Sequence, residues 1–98
     1  NEFMNEPEFV LTNVEELEME AQKRAHEVSV STTKSVIEAL EQGADKVVVG
    51  ILKTMDLDLS VEKSGYLEAL ETNLVRVEES EEFELCKESI KWIKKLRE

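Results

Sequence analysis

Ninety-eight residues carry 23 acids against 12 bases, a net charge of −11, and 41% of the side chains are apolar. That is chain for one domain rather than two, and enough apolar surface for a core, which argues against disorder. The apolar run from Val47 to Leu52 is too short to cross a membrane, one cysteine excludes an internal disulfide, and one histidine excludes a His-built metal cluster.

Asn1, Glu2 and Phe3 precede Met4, so residues 1–3 read as a cloning scar before the native start. The polar residues after Met4 do not make a secretory leader, and with a lone free cysteine the expected location is cytoplasmic. Residues 4–12 read as an extended arm, with Glu8 to Leu11 a candidate strand. A single helical domain is then expected over 13–98. Asn13 and Glu16 have capping-box spacing, and Val14, Leu17, Ala21, Ala25 and Val28 follow at intervals of three and four, one face of a first helix.

Val28 to Thr33 mixes β-branched and hydroxyl residues, which compete with helical hydrogen bonding. It reads as a break with Ser31 or Thr32 capping a second helix, or as a short strand. Val36, Ile37 and Leu40 restore the helical period over about 32–42, and Gly43 stands where a left-handed cap belongs. From Asp45 to Met55 three consecutive valines favour a strand by propensity. Positions 47, 48, 51, 52 and 55 nevertheless share a helical face, Asp45 can cap it, and a lone strand would lack a partner, so a helix is expected.

Residues 56–60 read as a connector, with Asp58 or Ser60 available as a cap. Leu67, Leu70, Leu74 and Val77 place a helix over about 61–78, and the cost of Gly65 moves its expected start toward Ser64. The last helix is expected from Glu81 to Arg97, with Phe83, Cys86, Ile90 and Ile93 as its ladder and Leu85, Trp92 and Leu96 widening it. These two helices form an antiparallel αα-hairpin, and the fold class is a mainly α bundle of three to five helices ending in it.

The segment 67–96 resembles the UVR helical hairpin. The likeness lies in the ladder of Leu67, Leu70, Leu74, Val77, Phe83, Cys86, Ile90 and Ile93, in the opening Glu82, Phe83 and Glu84, and in the small Cys86 after it. Glu88 and Ser89 stand where that motif usually has an Arg-Asp pair. The resemblance implies a hairpin that docks on another helical hairpin, and carries no excision-repair activity with it.

Candidate chemistry is sparse. Asp56, Asp58, Ser60 and Glu62 open like a calcium loop, but Val61 and Leu67 occupy the positions that need Gly and a bidentate acid. His26 has no positioned nucleophile in view and reads as half-exposed. Cys86 follows Glu81, Glu82 and Glu84, the opposite of the electropositive setting that activates a thiol. No phosphate loop, nucleophile elbow, cofactor motif or metal-ligand set is present, so no enzymatic activity is expected.

Residues 1–86 hold 21 acids and 7 bases, while residues 87–98 hold two acids and five bases. Within the last helix this polarity complements its dipole. Direct nucleic-acid binding needs clustered Lys and Arg and is disfavoured. The apolar stripes look wide for so small a core, and surplus stripe is covered by another chain. The expected function is therefore a small, acidic, non-enzymatic protein-interaction module, either self-associating as a homo-oligomer or docking a helical face on a partner protein. Tyr66, Phe83, Leu85, Trp92 and Leu96 are the candidate partner-binding residues, with no cofactor and no membrane. The alternative is an acidic inhibitor or antitoxin that occupies a basic nucleic-acid-binding cleft of its partner.

Overall fold

The computed structural model describes residues 14–52 and 57–98. In chain order it contains α1 (Val14–Gln42), β1 (Lys46–Leu52), β2 (Leu57–Glu62), a 3-10 turn (Lys63–Gly65), α2 (Tyr66–Glu79) and α3 (Phe83–Arg97). The described residues are thus mainly α, with one small two-stranded antiparallel sheet among them. The expected arm and the Asn13 cap lie outside the described residues.

Helix α1 runs unbroken through Val28 to Thr33, where a break was expected. The cause is tertiary. Ser29 and Thr33 are buried, and with Val36, Ile37 and Ala39 they form the face that meets the rest of the protein. The small helix-propensity cost of Ser and Thr, roughly half a kcal/mol each, is outweighed by that packing. The face also differs in phase from the one expected, because Val28 points to solvent.

The end of α1 follows from a single glycine. Gly43 has φ +69°, and the Ala44 N–H donates to the Ala39 carbonyl at 2.9 Å, the six-to-one bond of a Schellman cap. Three residues after Gly43 the chain is a strand, not the helix expected over 45–55. Its partner is β2, which spans most of the connector expected over 56–60 and the first two residues of the helix expected over 61–78. Leu57, Leu59 and Val61 alternate there with Asp58, Ser60 and Glu62, the period of a strand. Lys46 pairs with Glu62, Val47 with Val61 and Val48 with Ser60, and an irregularity between Val48 and Gly50 then shifts the register. The shift is a bulge at Val49, and Val47, Val49 and Val61 all pack against the helical core. The Lys63 N–H closes the hairpin base on the Asp45 carbonyl at 2.8 Å.

Gly65 is the residue before α2 rather than a weak point inside it. Helix α2 packs on α1 and on α3, and α1 also meets α3 and β1. Two contacts fix the direction of α2 against α1. The Tyr66 hydroxyl, at the start of α2, donates to the Ala44 carbonyl just beyond α1, and Glu79, the last residue of α2, bonds His26 in the first half of α1. The apolar core of Val36, Ile37, Ala39, Tyr66, Leu70 and Ile93 lies toward the first of these contacts. Toward the second, the buried side chains are Ser29, Thr33, Val77, Cys86 and Ser89, mostly small and partly polar. The molecule measures 48 × 30 × 17 Å.

Candidate functional site

The five residues expected to bind a partner separate. Tyr66 is 1% exposed, and its ring belongs to the core instead of the surface. Leu85, Trp92 and Leu96 are half-buried and pack against that core, with the Lys95 ammonium 5.0 Å from the centre of the Trp92 ring. Phe83 alone stands out, 65% exposed at the first residue of α3.

The reason is a rotation of α3 about its axis. Its buried positions are Cys86, Ser89 and Ile93, with Leu85, Trp92 and Leu96 beside them. Two members of the expected ladder, Phe83 and Ile90, therefore turn outward, and a serine takes the place of an isoleucine inside. Val75 of α2 is likewise exposed. Ile90 and Ile93 face Leu74 across a groove between α2 and α3, with a volume of about 550 Å³ and with Glu71, Lys94 and Arg97 at its edges. The Arg97 guanidinium pairs with the Glu71 carboxylate across it. Seven-residue spacing puts Phe83 and Ile90 on one line of α3, and Lys87 and Lys94 fall on the same stripe at intervals of four and three. The α2 side of the groove offers Glu71. Sequence reasoning missed Ile90 and Val75 because a three-four period marks a face without saying which of two adjacent faces is covered.

A second concavity, of about 720 Å³, runs beside α1 at the α2–α3 turn and is lined by Lys23, His26, Val30 and Lys34 on one wall and by Glu79 and Glu82 on the other. His26 is tied at both ring nitrogens. Nδ1 lies 2.7 Å from the Gln22 carbonyl oxygen and Nε2 lies 2.8 Å from Glu79 Oε1. The backbone carbonyl and then the Glu79 carboxylate raise the imidazole above its usual pKa. Cys86 is buried, and burial first, then the charges of Glu78 and Glu82, push its thiol up. A nucleophilic thiolate is disfavoured in that setting.

Among the described residues no three or more His, Cys, Asp or Glu side chains are placed to hold a metal ion. Asp58 and Ser60 lie in strand β2, not in a loop. No helix among the described residues is long and apolar enough to cross a membrane. Comparison with protein-family models, curated proteins and solved structures gives no match for this chain.

Proposed function

We propose that this chain is a small, acidic, non-enzymatic protein-interaction module that self-associates through the outer face of α2 and α3. The observation that carries the reading is the exposure of Phe83 and Ile90, seven residues apart on one line of α3, with Ile90 lining the α2–α3 groove. Apolar side chains of this size, grouped along a groove and rimmed by charge, are the usual signature of a protein contact.

The occupant is a second copy. In an antiparallel hairpin closing a helical bundle, the α3 lip of the groove is basic (Lys94, Arg97) and the α2 lip is acidic (Glu71). A two-fold axis running along the groove sets α2 of one copy over α3 of the other, acid over base on both sides. The resemblance of residues 67–96 to the UVR hairpin implies docking of the same kind. Phe83 and Ile90 then supply the apolar burial along the α3 stripe, alternating there with Lys87 and Lys94.

Molar mass by light scattering, over a dilution series at about 0.15 M and about 0.5 M salt, tests this. At the higher salt the Debye length falls to roughly 4 Å. The expected result is a dimer that survives the added salt and that Phe83→Glu with Ile90→Glu reduces to a monomer. A monomer at every concentration overturns the reading. An association that collapses with salt also overturns it, and favours an acidic surface engaging a basic partner.

A further inference from the structure

The two ends of the helical core are held by different chemistry. At one end Val36, Ile37, Tyr66, Leu70 and Ile93 interlock. At the other the buried layer is Ser29, Thr33, Val77, Cys86 and Ser89, and the Thr33 and Ser89 hydroxyls have no hydrogen-bond partner although each side chain is within 1% of full burial. A buried hydroxyl without a partner loses its hydration and regains nothing, so this layer adheres poorly. Small side chains also bury less apolar area per contact.

Across the mouth of that weak end lies the His26–Glu79 contact. Both acceptors on His26 are oxygens that cannot donate, a backbone carbonyl and a carboxylate, so both ring nitrogens must carry hydrogen. Only the imidazolium does that. A neutral ring has one N–H and must give up either the Gln22 carbonyl or Glu79. The charged groups around it are Lys23, Glu27 and Lys34 on α1, Arg76 and Glu79 on α2, and Glu82 at the turn. Acids and bases there are equal in number, and Glu79 is the one that touches the ring.

We propose that the His26 imidazolium is a proton-operated latch which holds the α2–α3 turn on α1, and that its deprotonation lets this end of the bundle open while the apolar end stays closed. The inference is independent of self-association. Because the folded state raises the pKa, the latch is complete below the ordinary histidine value of about 6.5 and is lost as pH rises through the folded value. The contact is partly exposed, so its effect is a local opening and not global unfolding.

Amide hydrogen exchange, divided by the rates of an unstructured peptide at each pH, tests the latch on the full chain. Between about pH 5.5 and about pH 8.5, protection at Thr33, Val77 and Ser89 should fall roughly two- to fivefold, with protection at Val36 and Leu70 unchanged. His26→Gln should be open at both pH values, and His26→Lys, whose ammonium does not titrate in this range, closed at both. Protection that changes equally at both ends overturns the proposal. So does a pH response that survives in His26→Gln.

Discussion

The Tyr66 hydroxyl donates to the Ala44 carbonyl at 2.9 Å, and this one bond joins the first residue of α2 to the residue that completes the cap of α1. It accounts for an aromatic ring at the centre of the core. The ring packs in the core with Val36, Ile37 and Leu70, and its polar tip reaches an acceptor that the helix cap leaves free. Tyr66→Phe should cost about 1 kcal/mol in urea unfolding, since the ring packing survives and one buried bond is lost.

Burial, and then the nearby Asp45 charge, raise the Tyr66 pKa above its ordinary value. The neutral phenol is therefore favoured in the folded state, and its contribution is fully present below about pH 10. Above that pH it is lost progressively toward the folded value. Wild type should lose more stability than Tyr66→Phe between about pH 9 and about pH 11. Equal losses in the two proteins would mean that the phenol is not what titrates.

Helix α2 ends as α1 does, but with the wrong residue. Glu81 has φ 60°, and the Glu82 N–H bonds the Val77 carbonyl in the same six-to-one pattern that Gly43 permits. An L side chain at a left-handed position is strained. Glu81→Gly should stabilise the protein by about 1 kcal/mol, raising Tm by roughly 4–8 °C. Gly43→Ala should lose a similar amount, and thermal melts of the pair check both signs.

The buried hydroxyls of Thr33 and Ser89 have no partner. Thr33→Val keeps the shape and removes the hydroxyl, and Ser89→Ala does the same with little loss of volume. Each should gain about 1 kcal/mol in denaturant unfolding. Destabilisation by either change would indicate that the hydroxyl is bonded in solution.

Cys86 lies in that same layer, and its raised pKa adds to its burial. At about pH 8, alkylation of the native protein should be slower than that of the urea-unfolded chain by more than about tenfold. Comparable rates would remove Cys86 from the packed interface.

Much of the helical content was legible in the sequence because its marks are local. Gly43 announced a helix end, the three-four spacing from Leu67 to Val77 announced α2, and the shift from acids to bases marked α3. The sheet was not, since Val47 to Leu52 satisfies both a helical and a strand period, and the decision rested with a partner strand. That partner was visible in the alternation from Leu57 to Glu62, a pattern that the capping signals of Asp58 and Ser60 obscured. The surface was least legible. Tyr66 and Ile90 have apolar bodies at plausible core spacings, and only packing against α1 decides that the tyrosine goes in and the isoleucine out.

Helix α1 has 29 residues against 14 in α2, so its first turns run past the α2–α3 turn, and the radius of gyration is 15.3 Å. A compact domain of this length has about 13 Å. A single chain of this shape tumbles slowly and diffuses like a rounder protein of greater mass. On a gel-filtration column calibrated with globular standards, it would elute early and imitate an assembly. The elution volume of one chain and that of a compact pair therefore approach each other, and mass has to be measured by a method blind to shape.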